Sequence, residues 1–323
     1  MILGALIALA SSFSFAVNSI LVRRGITGAG ATAAQGAFIS VLLGVPLGLV
    51  AVLATGQLFR FGQFALDGYL LLAGAGVVHF VIGRYCYYRA IGAIGAPRTV
   101  TIQTIAVPYS IVMAMLLLGE RPTLPMYVGI ALILGSPALM IERPKRPASV
   151  ARDRPSVPGG GGTRQVSAAP AVELHMVEGY VFSLLSSVAY GTSPILIRAA
   201  MEGATDAAAV GTFIAYVGAA AVLIVSLALP AQRHLVGTIS VRYLRIFGGA
   251  GLSVFTAQLL RFFALSLAGV SVVNPLMRTV SIFTLILSYV INRRLEHITP
   301  GVVLGVLVSF AGSALLVYAA AVA

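Results

Sequence analysis

The sequence predicts an all-α integral membrane protein in which ten transmembrane helices form two inverted five-helix repeats. Three observations lead to this prediction. Hydrophobic residues make up 59% of the 323 residues and charged residues only 9%, whereas soluble domains carry about a quarter charged residues. Apolar segments long enough to cross a bilayer recur along the chain, and the chain matches itself when it is shifted by about 175 positions. A soluble fold is excluded, because too few charged residues are present to cover a water-facing surface.

Ten apolar segments have roughly the 20-residue length that crosses a hydrocarbon core of about 30 Å. The predicted spans are Ile2–Val22, Ala33–Ala54, Gly68–Tyr88, Pro97–Leu118, Pro125–Ile141, Gly179–Ile197, Ala208–Ala228, Ile246–Leu267, Val270–Ile291 and Pro300–Ala319. The first segment has no basic region before it and stays apolar through Val22, which favours a membrane helix over a signal peptide.

One long interruption, residues 142–178, is rich in Pro and Gly and holds six basic residues. This composition predicts a flexible basic linker between a first repeat, residues 1–141, and a second repeat, residues 179–323. Contact between the linker and anionic lipids is an alternative to a purely solvated tether.

The two halves match at particular positions. A shift of 175 places Ser11, Asn18 and Arg23 on Ser186, Ser193 and Arg198; a shift of 174 places Arg84 on Gln258 and Gly95 on Gly269; a shift of 176 places Glu120 on Glu296. Because five is odd, the second copy of a continuously threaded chain enters the membrane from the opposite side. Two inverted copies give the geometry of a secondary transporter that works by alternating access.

A set of motifs occurs in the first copy and more loosely in the second. In the first copy they are Tyr88-Arg-Ala-Ile-Gly-Ala-Ile-Gly-Ala-Pro, a helix with Pro108, Leu118-Gly-Glu-Arg, and Val128-Gly-Ile-Ala-Leu-Ile-Leu-Gly-Ser; the second copy has counterparts at 262–269, 294–296 and 301–312. This order resembles the EamA-type unit of the drug/metabolite transporter superfamily over nearly the whole chain except the linker. The resemblance implies a ten-helix transporter of small metabolites or drugs and does not name the substrate.

Ionisable side chains inside a bilayer are energetically unfavourable and are therefore functional candidates. Together with polar residues on the same helix faces, they give the predicted substrate-binding set Asn18, His79, Arg84, Tyr87, Gln258, Arg261, Asn274 and Arg278. His79, Gly83 and Tyr87 recur at every fourth position and share one helix face. Helix packing is the alternative role for the uncharged polar residues, and it is also predicted for Gly44-xxx-Gly48 and Gly301-xxx-Gly305.

The arginines in this set predict the charge of the substrate. No Asp or Glu lies near the centre of a predicted span, and a guanidinium suits a carboxylate or a phosphate. We therefore expect an electropositive cavity in which Arg84, Arg261 and Arg278 contact an anionic or zwitterionic metabolite. Two alternatives stay open: export of neutral amino acids or similar amphipathic metabolites, and a non-transporting membrane scaffold or accessory subunit.

Within the spans, His79 is the best candidate carrier if transport is coupled to protons, because an unperturbed imidazole titrates near pH 6.5; a packed, hydrogen-bonding histidine is the alternative. Glu120 and Glu296 fall at helix ends, where we expect them to cap a helix or to form inter-helix ion pairs. The arginines at span ends are predicted to snorkel toward water. They are Arg23, Arg89, Arg98 and Arg198.

Loops that join odd to even spans hold fifteen basic residues, and the other loops hold three. The positive-inside rule then places the linker in the cytoplasm and both termini outside, whereas the family resemblance implies cytoplasmic termini.

The sequence has none of the HExxH, P-loop or GxSxG motifs, so neither an enzyme nor a cofactor is expected. The expected partners are a small-molecule substrate, the lipid bilayer and a coupling proton or ion, with a homodimer left open. Scattered basic residues argue against nucleic acid. The expected location is a bacterial cytoplasmic (inner) membrane.

Overall fold

The computed structural model describes residues 2–109, 112–113, 123–141, 174–201, 204, 206–267 and 276–322, and the structural statements below concern these residues. Their regular structure is helical. In the first repeat the α helices are α1 Ile2–Arg23, α2 Ala33–Ala54, α3 Leu66–Gly76, α4 Arg84–Ile94, α5 Ala96–Gln103 and α6 Leu124–Gly135; in the second they are α7 Met176–Ala200, α8 Ala208–Ser226, α9 Pro230–Gly237, α10 Val241–Leu267, α11 Val280–Ile291 and α12 Pro300–Val322. Arg24–Gly28 and Val77–Gly83 are π-helical, and Gln57–Gln63 and Ser136–Met140 are 3₁₀-helical.

Five of these helical segments are long and apolar enough to cross a membrane: Ile2–Gly28, Ala33–Ala54, Leu66–Ile94, Met176–Ile197 and Ala208–Ser226. The predicted all-α class of membrane protein is therefore confirmed. The number of ten spans stays a prediction, because parts of the fourth and ninth spans, residues 110–111, 114–118 and 270–275, lie outside the described residues. The predicted linker lies outside them as well, up to residue 173.

The third predicted span is longer than its apolar run indicated. It continues from Leu66 to Ile94 because the π-helical segment Val77–Gly83 joins α3 to α4 without a break. Gly95, with φ of +89°, ends α4, and Pro97 in the first turn of α5 starts the next helix, since its fixed φ suits that position. The short helix α9 was not predicted from the sequence.

Helices of one repeat pack against helices of the other, so the two repeats share their core. In particular, α1 packs on α10 and α11, α2 and α3 pack on α8, and α4 packs on α7. Small polar residues make the contacts specific: the Ser11 hydroxyl donates to the Ala257 carbonyl at 2.7 Å, and the Ser12 hydroxyl donates to the Leu276 carbonyl at 3.0 Å.

Glycines allow these close approaches. Gly44 lies against the ring of Tyr216, and Gly48 lies against Phe213. Gly301 meets the Leu139 carbonyl and Gly305 meets Met140, so both predicted glycine motifs are packing surfaces. The closest approach is at Gly76, where an added Cβ would overlap the backbone of Ala215 in α8.

We expect Gly76→Ala to destabilise the protein by about 1–3 kcal/mol, because the new methyl group forces α3 away from α8. Gly74→Ala is the matched control. It lies in the same helix with no atom within 4 Å of an added Cβ, so it should keep or raise the stability through its better helix propensity. Thermal unfolding of the purified protein in detergent measures both, and equal melting temperatures for the two variants would contradict the packing shown here.

Candidate functional site

A cavity of about 90 Å³ lies between the two repeats. The first repeat contributes α3 and the π-helical segment, and the second contributes α7, α8 and α10. Most of the lining is apolar, and its polar members are His79, Thr212 and Gln258. An apolar cavity with a few placed polar groups is typical of small-molecule binding sites.

His79 lies in the π-helical segment of the long third helix, and such segments are frequent at functional sites. Its Nδ1 is 2.7 Å from the Ser193 hydroxyl of α7, and its ring centroid is 4.4 Å from that of Tyr190. Tyr190 also packs against Gly83 and Tyr87. The predicted His79, Gly83 and Tyr87 stripe is therefore a single face, and it is covered by an aromatic ring of the other repeat.

Arg84 is held behind the cavity wall. The side chain is buried, and its guanidinium donates to the Ser40 hydroxyl at 3.2 Å and to the Tyr216 hydroxyl at 3.1 Å. It also lies 4.9 Å from the ring centroid of Phe80, which lines the cavity and stacks on Tyr216 at 3.9 Å. Arg84 thus binds hydroxyls and rings from both repeats.

Two other members of the predicted set belong to the same buried network. The Tyr88 hydroxyl donates to Asn18 Oδ1 at 3.3 Å, and the Tyr87 hydroxyl is 2.6 Å from the Ser19 hydroxyl. Asn18 and Tyr87 therefore join α1 to α4 within the first repeat rather than lining the cavity.

The remaining arginines, Arg261 and Arg278, are not part of the cavity wall. Arg261 is accessible and is one turn beyond Gln258 on α10, and it is close enough to His79 and Arg278 to act on both electrostatically. The buried Nε of Arg278 has no hydrogen-bond partner among the described residues. Asn274 lies outside the described residues.

No carboxylate of the described residues is paired with Arg84, Arg261 or Arg278. The acids of this part of the chain have other partners: Asp67 accepts from Gly68 N, Glu178 pairs with Arg89, Asp206 with Arg60, and Glu296 with Arg23. The surroundings of the cavity are therefore electropositive within the described structure.

Sequence reasoning did not select four residues of this site: Ser40, Tyr190, Ser193 and Tyr216. The internal repeat held one signal for them, since Ser193 is the counterpart of Asn18. Both counterparts bond to the long third helix, Asn18 to Tyr88 and Ser193 to His79. Ser40 and Tyr216 carry no such signal, because they matter only through their shared contact with Arg84.

A second polar cluster, which we call the arginine cluster, contains Arg23, Arg98 and Glu296. The prediction that Arg23 and Arg98 snorkel is wrong, since they are only 0% and 1% exposed. Arg23 donates to the carbonyls of Ile91 and Gly92, each at 2.7 Å, and of Leu295 at 2.6 and 3.0 Å. Backbone carbonyls therefore replace water around this guanidinium.

Glu296 fulfils both roles predicted for an acid at a helix end. Its Oε1 accepts from the N–H of Ala96 at the start of α5, at 2.9 Å, and lies 3.6 Å from Arg23 Nε. This ion pair joins the two repeats, because Glu296 pairs with Arg23 rather than with the neighbouring Arg294. Burial raises the pKa of the Glu296 carboxyl to about 7, against the opposing effect of the Arg23 charge.

Five helical segments that are long and apolar enough to cross a membrane, together with a mostly apolar cavity between the two repeats, are features of a multi-pass membrane protein. The model of the EamA-like transporter family matches residues 2–141 and again residues 177–318. The chain belongs to this family and contains its unit twice.

The fold is also similar to that of a protein whose crystal structure has been solved, with a TM-score of 0.53 and 16% sequence identity, over 97% of this chain and 94% of the other. At this identity the likeness concerns the fold alone. A search of curated proteins gives no match.

We expect Tyr216→Phe to destabilise the protein by about 1.5–3 kcal/mol, because it removes a hydrogen bond to a buried charge. Tyr69→Phe is the matched control, since it removes a hydroxyl that donates to the neutral carbonyl of Phe61 at 2.8 Å and should be worth about 0.5–1.5 kcal/mol. Thermal unfolding of both variants tests the difference. A smaller loss for Tyr216→Phe than for Tyr69→Phe would contradict the role given to Tyr216.

Proposed function

We propose that the protein is a secondary transporter that moves a small anionic or zwitterionic metabolite by alternating access. The observation that carries the proposal is the inter-repeat cavity with His79 and Gln258 in its wall and with Arg261 within electrostatic reach of His79. Arg278 is in turn within electrostatic reach of Arg261. Membership in the family supports small-molecule transport. The buried Arg278 Nε, which has no partner in the part of the chain that the structure describes, supports an anionic group on the substrate, because a buried guanidinium requires hydrogen-bond acceptors.

The proposal includes ten spans in two inverted repeats. Arg23 at the end of α1 donates to carbonyls near the end of α4, and α7 begins beside that same end, where the N–H of His175 donates to the Ala93 carbonyl at 3.1 Å. The first helix of the second repeat thus starts where the first helix of the first repeat ends. This antiparallel relation supports inverted repeats.

We call the side at which α1 ends the basic face, because it carries most of the loop arginines, and we place it in the cytoplasm of a bacterial inner membrane on the positive-inside rule. The cavity reaches from His79 to Met201 and Ala208 at the junction of α7 and α8, which is toward the opposite face. This position supports a state that is closed at the basic face.

A second candidate function is export of a neutral amino acid or similar amphipathic metabolite. The mostly apolar lining favours it, since the apolar part of such a substrate can pack against Leu72, Phe80 and Met201. Its carboxylate would then be the only group that meets an arginine.

A thermal-shift screen of the purified protein with phosphorylated, carboxylate, zwitterionic and cationic metabolites separates these substrate classes. A ligand at 100 times its dissociation constant adds about 2.7 kcal/mol, and we expect anions or zwitterions to give this shift. Arg278→Gln should abolish it. Arg293→Gln should not, because Arg293 lies in an exposed loop against Tyr289. Stabilisation by cations alone would overturn the anionic site, and no stabilisation would favour a non-transporting scaffold.

We expect Ala208→Phe to block exchange of the stabilising metabolite across proteoliposomes, because the new ring fills the end of a cavity of about 90 Å³. Counterflow of the labelled metabolite is the measurement. Leu304→Phe is the control, since Leu304 is an exposed position of α12 outside the cavity. Equal transport by both variants would show that the cavity is not part of the pathway.

A further inference from the structure

The arginine cluster lies at the basic face, which the cavity does not reach. Arg23 comes from α1, Arg98 from α5 and Glu296 from the loop between α11 and α12. Each side chain is almost fully buried, with 1% exposure for the Glu296 carboxylate. Contacts between α1 and this loop tie the first repeat to the second: Asn292 Nδ2 donates to the Ile20 carbonyl at 2.9 Å, and Arg23 donates to the Leu295 carbonyl. Opening of the basic face requires these contacts between α1 and the loop to break.

The Arg23 guanidinium does not depend on Glu296 for its hydrogen bonds. Four donor contacts reach backbone carbonyls at 2.6–3.0 Å. The Glu296 carboxylate is 3.6 Å from Nε, which is beyond the 2.7–2.9 Å of a charge-assisted hydrogen bond. Arg23 therefore keeps its acceptors whether the carboxyl is ionised or neutral.

Glu296, in contrast, is poorly compensated as an anion. Within the described residues its one direct hydrogen bond is from the Ala96 N–H. Its Oε2 packs against Gly95, where an added Cβ would overlap it. A buried carboxylate with so few donors favours its neutral form, which agrees with the raised pKa of about 7.

Within the described residues, the charges that face Glu296 come from two packed elements. Arg23 on α1 and Arg98 on α5 both favour the ionised form, and burial outweighs them. Tyr180 of α7 lies near Arg98. On its own loop Glu296 is flanked by Arg293, Arg294 and His297, which are exposed.

We propose that Glu296 is the binding site of a coupling proton, and that release of this proton to water at the basic face favours opening of that face. This inference rests on the proposed alternating-access function. In the closed state the proton resides on the carboxyl, and Arg23 stays charged on its carbonyls. Loss of the proton leaves Glu296 as a buried anion, which becomes solvated when the contacts between α1 and the loop break. Protonation therefore favours the closed state, and this preference is lost as the pH rises through the folded-state pKa.

The test measures opening without any substrate. Spin labels attached at Arg24→Cys and Arg293→Cys, in a Cys86→Ser background, report the distance across the basic face by pulsed electron paramagnetic resonance. Because the carboxyl pKa is about 7 when closed and near 4.5 in water, the ratio of the long to the short distance population should rise about 30-fold from pH 5.5 to pH 8.5. Glu296→Gln, which keeps an acceptor for Ala96, should keep the short distance at both pH values.

Two further variants make the result specific. Arg98→Gln removes a charge that favours ionisation, so the midpoint of the pH response should move to higher pH; this readout remains if Glu296→Gln does not fold. Glu178→Gln, at an acid of the basic face outside the cluster, should keep the wild-type response. The proposal is overturned by a missing response in the unmutated pair, by a response that persists in Glu296→Gln, by loss of the response in Glu178→Gln, or by a midpoint that does not rise in Arg98→Gln. If anions stabilise the protein in the thermal-shift screen but the spin-label distances do not respond to pH, only the proton site is refuted. If the distances respond to pH but anions do not stabilise the protein, the proposed substrate class is refuted.

Discussion

The structure depends on one constraint: a guanidinium within an apolar bundle needs acceptors wherever it is buried. Arg23 meets this constraint with the carbonyls of helix ends and a loop, and Arg84 meets it with hydroxyls and aromatic faces. In both cases the acceptors come from both repeats. The same interactions that make these charges tolerable therefore hold the two halves of the protein together.

The two arginine environments differ in what they allow. The carbonyls around Arg23 belong to the backbone near the end of α4 and in the loop before α12. The groups around Arg84 are side chains, and Phe80 stands between its guanidinium and the cavity. A change in the Phe80 and Tyr216 stack would alter the exposure of Arg84 without breaking a helix. The cavity and the arginine cluster are thus two separate sites that both contact one long helix, residues 66–94, the cavity at Leu72 to Phe80 and the cluster at the carbonyls of Ile91 and Gly92.

Composition and periodicity predicted the membrane class, most helix positions, the glycine packing motifs and the single face formed by His79, Gly83 and Tyr87. The burial of Arg23 and Arg98 was missed because their position near span ends is compatible with snorkelling, and because backbone carbonyls are present in every sequence and give no signal. The pairing of Glu296 with Arg23 was missed for a different reason: Arg294 is adjacent in sequence, whereas Arg23 is brought in by the packing of α1 against the second repeat. The roles of Ser40 and Tyr216 depend on the same packing. The periodicity of the sequence therefore predicts which residues share a helix face. The residues that contact this face depend on how the helices pack in the folded protein.

The sequence separation of the Arg23 contacts has a consequence for biogenesis. Leu295 and Glu296 are synthesised more than two hundred residues after Arg23, so the first helix must enter the membrane before its main acceptors from the second repeat exist. During translation this guanidinium has to stay near headgroups or within the insertion machinery. Final insertion depth of α1 is consequently set late, when the loop before α12 has been synthesised.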